Sequence, residues 1–122
     1  QQFHWHEEPL YRFAPGPKQF DDPKVFKNIA KLAEYGLTFD LQVFPKQIND
    51  AAALADACPD VTFILQHAGM LEDQSETGWD EWRAAMTELA KRGNVVTKLS
   101  AFGTFIHKND PDFIADMVRG LG

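Results

Sequence analysis

The feature that most constrains the fold is a regular alternation of helical and strand patterns along the chain. Apolar residues recur at helical spacing in several stretches, and short runs rich in β-branched and aromatic residues separate those stretches. Strands joined by helices in this order form a parallel α/β sheet with right-handed crossovers. The pattern predicts helices over 22–35, 48–57, 77–92 and from 110 onward, strands over 37–43, 61–66 and 94–100, and at most one short strand before residue 12.

Local signals mark where these elements begin and end. Asp22 and Pro23 supply an N-cap acceptor and a first-turn proline, and Gly36 is a natural helix stop. Thr77, with Asp80 three residues later, resembles a capping box that opens the third helix. We see no domain boundary, so residues 1–122 are expected to form a single domain segment.

One histidine follows directly on a strand that is apolar along nearly its whole length. Ligands of parallel α/β sheets bind beyond the carboxyl ends of the strands, and His67 lies there, before Ala68 and Gly69. Imidazole is a common metal ligand and general base. We therefore predict His67 as the catalytic residue, the alternative being a histidine hydrogen-bonded at the rim of the sheet.

Two further histidines lie near the start of the chain. His4 and His6 would point to the same side of an extended segment, as two ligands of one metal ion do. Two histidines without a third ligand nearby make an incomplete site, and the acidic residues that follow fit a solvated rim. We interpret His4 as part of that rim.

Polar residues inside the predicted strands are further candidates for the site. Asp40 shares a strand face with Gln42, and Lys98 shares one with Ser100. Such side chains need partners or water, so they either line a binding site or pair with other groups at an exposed edge. His107, in a polar loop, is expected to be a surface histidine.

Charge and composition exclude several classes of function. A net charge of −6 argues against nucleic acid or an anionic membrane as a partner, and no apolar run is long enough to span a bilayer. Cys58 is the single cysteine, which excludes an internal disulfide and favours a cytoplasmic setting. Glycine-rich phosphate loops, serine-hydrolase elbows and paired cysteines are absent from the sequence.

Several segments, taken together in this order and spacing, resemble the amidohydrolase-related family (amidohydrolase 2), which includes lactonase-like hydrolases. The resemblance covers nearly the whole chain. It is carried by Gln1-Gln2-Phe3-His4-Trp5-His6, by Gly36-Leu37-Thr38-Phe39-Asp40-Leu41-Gln42-Val43, by Phe63-Ile64-Leu65-Gln66-His67-Ala68-Gly69-Met70 and by Asn94-Val95-Val96-Thr97-Lys98-Leu99-Ser100.

The resemblance implies part of a (β/α)8 TIM barrel and a site at its carboxyl-end face. It implies that His67 is the catalytic histidine and a metal ligand, and that a divalent metal, Zn²⁺ first, takes part. It also implies that His6, which matches the histidine of the family's Trp-His pair, holds a substrate carboxylate together with Lys98. His4 falls at a variable position of the pattern, and Ala101 replaces the pattern's glycine. The first-strand His-x-His and the last-strand Asp of the family do not occur in these residues.

A complete barrel typically needs about 250 residues. The chain is therefore expected to be a central portion that is inactive by itself, with open sheet edges covered by further chain or by a second copy in a homo-oligomer.

The function that the resemblance implies is a hydrolase that opens a small carboxylated or sugar lactone with activated water. His6, Asp40 and Lys98 would bind this small-molecule substrate. Two alternatives stay open, namely a decarboxylase on the same scaffold and a non-catalytic α/β binding module.

Overall fold

The computed structural model describes residues 3–121 and contains four α-helices and three short strands in the predicted order. The first helix, Pro23–Ala30, continues into a 3-10 turn, Lys31–Tyr35, which ends at the left-handed Gly36 as expected. Further 3-10 turns lie in the connections. The bounds are α1 (Pro23–Ala30), β1 (Phe39–Leu41), α2 (Ile48–Ala57), β2 (Phe63–Leu65), α3 (Glu76–Leu89), β3 (Val95–Thr97) and α4 (Pro111–Leu121).

The strands form one parallel sheet in which neighbours in sequence are neighbours in space, in the order β1-β2-β3. Phe39 pairs with Phe63, and Phe63 pairs with Val95. Each helix from α1 to α4 contacts the next one along the chain. Sequential strands and sequentially packed helices are the arrangement of consecutive (β/α) units in a barrel. The predicted parallel α/β fold is thus confirmed.

The two faces of the sheet differ in burial. Phe39, Leu41, Phe63 and Leu65 are buried in the core with the helices. On the other face, Asp40 and Val96 are exposed and flank Ile64 in register. In a barrel this second face points into the lumen, where side chains from further strands would cover it.

Two sequence predictions are corrected at the ends of elements. The strands are shorter than predicted because the pairing covers only three residues of each strand, with Phe63–Leu65 opposite Phe39–Leu41 on one side and Val95–Thr97 on the other. The N-cap of α3 is Ser75, whose Oγ accepts from the amide of Gly78 at 3.1 Å, and Thr77 lies inside the first turn of the helix.

The sequence allowed at most one short strand before residue 12. Residues 3–6 form none, and Gln1 and Gln2 lie outside the described residues. The backbone groups of this segment form hydrogen bonds with other parts of the chain instead of with a strand. The carbonyl of His4 accepts from the amides of Phe13 and Ala14, and the amide of Trp5 donates to Gln47 Oε1.

A single asparagine fixes the connection between α2 and β2. The side-chain amide of Asn94 contacts the carbonyls of Ala55, Cys58 and Val61 at 3.0, 3.2 and 3.2 Å. Because Asn94 immediately precedes β3, this contact joins the entrance of β3 to the loop before β2. Cys58 is buried in that loop. Within residues 3–121, no helix is long and apolar enough to cross a membrane.

Candidate functional site

His67 lies in a turn of unusual backbone conformation at the carboxyl end of β2. The φ angles of His67, Ala68, Gly69 and Met70 are 56°, 50°, 73° and 52°. Each non-glycine residue in this left-handed region costs roughly 1–2 kcal/mol. Strain of this kind persists only where the surrounding structure determines it, and such places cluster at functional sites.

The contacts that hold this turn come from α3 and from the end of β3. Trp82, fully buried in α3, donates from Nε1 to the carbonyl of Ala68 at 2.7 Å. The amide of Ala68 donates to the carbonyl of Lys98 at 3.1 Å, and the amide of Lys98 donates to the carbonyl of Leu65 at 2.9 Å. The turn that carries His67 is therefore bonded to elements on both sides.

The imidazole of His67 is half-buried and is oriented by a hydroxyl. Nδ1 lies 2.9 Å from Oγ of Ser100, which leaves Nε2 for a ligand. Burial lowers the pKa of His67, and the positive charge of Lys98 lowers it further. The neutral imidazole is the form that accepts a proton or binds a metal.

His4 is not part of a solvated rim, so that interpretation is wrong. Its side chain is 1% exposed, its ring packs against Phe13 and Phe44, and its Nδ1 has no hydrogen-bond partner among the described residues. Burial lowers the pKa of His4, and the charge of a protonated His67 adds to this effect. No sequence pattern indicates that the segment around Phe13 folds back over His4.

His6 lies at the same end of the sheet, against the rings of Phe44 and Tyr11. Its Nδ1 accepts from the amide of Glu8 at 2.9 Å, and its Nε2 lies 3.8 Å from Oε1 of Glu72. Burial raises the pKa of Glu72. Glu72 is not among the candidates from the sequence, because only folding brings its loop to His6.

The other predicted residues lie at two different levels of the sheet. Lys98 follows β3 and is close enough to His67 to lower the pKa of that histidine. Asp40 lies in the middle of β1, opposite Ile64, which is three residues before His67. At about 3.3 Å per residue, Asp40 is roughly 10 Å below the level of His67. The structure thus brings His4, His67, Lys98 and Ser100 together and places Asp40 deeper on the lumen face.

The described residues do not by themselves build a metal centre. Among residues 3–121 there is no group of three or more His, Cys, Asp or Glu side chains that could hold a metal ion. His67 can offer Nε2 as one ligand, and a complete zinc site needs at least three protein ligands. We therefore derive no catalytic step through a metal from these residues.

Comparison with known proteins identifies the family. The family model described as amidohydrolase matches residues 3–120. The chain belongs to the amidohydrolase family. The amidohydrolase segment is 33% identical over 103 residues to the uncharacterised protein y4mH of Sinorhizobium fredii. It is 34% identical over 88 residues to an L-fucono-1,5-lactonase of Burkholderia multivorans. These matches cover 84% and 69% of the chain but only 34% and 30% of the two relatives.

Solved structures show the same fold. An amidohydrolase from Burkholderia multivorans with bound zinc superposes with a TM-score of 0.74 at 27% identity, covering 84% of this chain and 38% of that one. Amidohydrolase 2 from Bifidobacterium longum subsp. infantis superposes with a TM-score of 0.63 at 24% identity, covering 87% and 39%. The fold is therefore confirmed as part of an amidohydrolase TIM barrel, as its resemblance implied.

Proposed function

We propose that this segment forms part of the catalytic site of a hydrolase that opens a small lactone ring with water. The observation that carries the proposal is the strained turn after β2, which holds His67 with Nδ1 on Ser100 and Nε2 available to a ligand. Its position at the carboxyl end of a parallel sheet is where barrel enzymes bind their substrates. The lactonase name of a relative supports the choice of a lactone.

In the proposed reaction, water adds to the lactone carbonyl carbon and the ring C–O bond breaks. The proton lost by the water goes to the leaving ring oxygen, so the product is a hydroxy acid. When Ser100 donates to Nδ1 of His67, Nε2–H donates to the carbonyl oxygen and stabilises the negative charge that develops there. The positive charge of Lys98, near His67, acts in the same direction.

The remaining parts of the proposal concern binding. His6 and Asp40 bind polar groups of the small-molecule substrate, and Lys98 also holds a substrate carboxylate where one is present. A divalent metal, Zn²⁺ first, is the proposed cofactor, because a structural relative contains zinc. With the metal bound, Nε2 of His67 would be one of its ligands instead of a donor to the carbonyl oxygen, and the metal would polarise the carbonyl. A carboxylate that activates the water is expected outside residues 1–122.

The test is the His67→Asn variant of the intact protein, assayed with a sugar 1,5-lactone. We expect kcat/KM to fall by about 10²- to 10⁴-fold, because one positioned acid–base or oxyanion group contributes that much. The melting temperature should stay close to that of the wild type, since the imidazole is only half-buried. The exposed His107→Asn variant is the matched control and should keep its activity.

Unchanged turnover by His67→Asn would refute the catalytic role of His67. Release of carbon dioxide instead of a ring-opened acid would favour the decarboxylase alternative.

A further inference from the structure

We infer that Glu72 and His6 together form a specificity pair that binds a hydroxyl group of the substrate and so selects sugar lactones over carboxylated ones. This inference rests on the proposed lactone-opening function. It adds a residue, Glu72, and narrows the substrate class.

The hydrogen-bonding roles of His6 follow from its contacts. Nδ1 accepts from the amide of Glu8, so the proton of the neutral imidazole is on Nε2. Nε2 lies 3.8 Å from Oε1 of Glu72. This distance is longer than a hydrogen bond of about 2.7–3.2 Å. The N–H donor and the carboxylate acceptor therefore lie side by side without satisfying each other.

A hydroxyl group matches this pair better than a carboxylate does. A hydroxyl accepts from Nε2–H through its lone pair and donates its own proton to the carboxylate of Glu72. A carboxylate has no proton to donate, and the charge of Glu72 would repel it. The pair therefore favours neutral, hydroxylated ligands.

The surroundings of the pair fit a binding position rather than a surface ion pair. The side chains of His6 and Glu72 are 20% and 13% exposed, so a bound group would be largely removed from water while remaining reachable. The ring of Phe44, at the end of β1, contacts the rings of His6 and Phe105. Phe105 belongs to the loop after β3, and Glu72 to the loop after β2. All three connections therefore meet at the face where substrates of barrel enzymes bind.

The test compares two lactones that share the reacting ring and differ in hydroxyl groups, a six-carbon sugar 1,5-lactone and unsubstituted δ-valerolactone. In the intact protein, Glu72→Leu should lower kcat/KM for the sugar lactone about 10- to 100-fold, mainly through KM, because a hydrogen bond to a charged group is lost. Its kcat/KM for δ-valerolactone should stay within about twofold. Glu72→Gln, which keeps an acceptor, should show a smaller loss.

Glu81→Leu is the matched control for the loss of a negative charge. Glu81 is exposed and its charge also acts on Glu72, but it is not part of the His6–Glu72 pair. It should leave both lactones unaffected. Equal losses for the two lactones in Glu72→Leu, or no loss for either, would overturn the inference.

A second readout separates this inference from the proposed function. The sugar 1,5-lactam carries the same hydroxyls and resists hydrolysis, and its Kd can be measured by calorimetry. Glu72→Leu should weaken its binding at least tenfold. Equal Kd values would overturn the specificity pair, whereas a wild type that binds the lactam but opens neither lactone would overturn only the proposed hydrolysis.

Discussion

The turn after β2 and the loop after β3 share a left-handed backbone conformation but differ in the contacts that hold it. Both leave the carboxyl end of a strand with a non-glycine residue in the left-handed region, Ala68 at φ 50° and Ala101 at φ 54°. Ala68 is fully buried and bonded through both its amide and its carbonyl, whereas Ala101 is exposed. The first conformation is held by tertiary contacts, and the second has fewer such contacts to hold it.

The turn after β2 is therefore held in its conformation by more contacts than the loop after β3. The hydrogen bonds of this turn offset its backbone strain and fix the position of His67, which we propose as the catalytic group. The loop after β3 contributes Ser100, which lies directly before the strained Ala101. Fewer residues of this loop therefore need a fixed conformation.

The largest effect should come from removing the hydrogen bond that holds the β2 turn. Trp82→Phe leaves the buried carbonyl of Ala68 without its partner and removes ring volume from the core. We expect a loss of about 2–4 kcal/mol in the free energy of unfolding, measured with urea on the intact protein. Trp79→Phe is the control, since Trp79 is only half-buried, and it should cost about 1 kcal/mol or less. Similar losses in both variants would contradict the role given to Trp82.

A methyl group added to the same turn should be the next most harmful change. Gly69 has a φ of 73°, and a Cβ there would lie 2.4 Å from the terminal carbon of Met86. Because the flexible Met86 side chain can move, most of the cost is backbone strain, and Gly69→Ala should lose about 1–2 kcal/mol. Gly93→Ala, with open space around its Cβ, should be neutral or slightly stabilising by the same urea measurement.

Substitution of alanine by glycine should change the stability of the protein differently in the two connections. Ala101→Gly relieves strain at an exposed position and should stabilise the protein by about 0.5–1 kcal/mol, after the entropy gained by the unfolded chain is subtracted. Ala68→Gly relieves similar strain but removes a buried methyl, so it should bring no gain. Melting temperatures of the two variants check this, and equal gains would contradict the contrast.

The smallest effect concerns pH. The pKa values of His4 and His67 are lowered in the folded protein from about 6.5, so the unfolded chain binds protons first as pH falls. Stability from these groups is complete above pH 6.5, decreases below it, and levels off below the folded pKa values. His67→Asn should reduce this slope in urea unfolding measured between pH 7 and pH 5. An unchanged slope would show that His67 does not contribute to it.

The sequence predicted the fold better than it predicted the site. The sequence correctly predicted the helix ends at Asp22 and Gly36 and the apolar strands before Phe44 and His67, because these signals are local. His67 was found because it directly follows a strand. Ser100 was noted only as a polar strand residue, and its bond to His67 spans 33 residues of sequence.

The burial of His4 and the approach of Glu72 to His6 could not be predicted, because they depend on how loops fold over the end of the sheet. No periodicity in the sequence encodes such contacts. The capping residue of α3 was missed by two positions for a simpler reason, since Ser75 and Thr77 are both good N-cap residues and only the geometry selects one.

The amide of Asn94 has a consequence for anyone who recombines barrel enzymes. It contacts three carbonyls of the connection between α2 and β2, although it belongs in sequence to the entrance of β3. A cassette cut at the end of α3 would separate the amide from those carbonyls, and the chimera would lose the three contacts. The natural crossover point for exchanging this block between relatives therefore falls after residue 94.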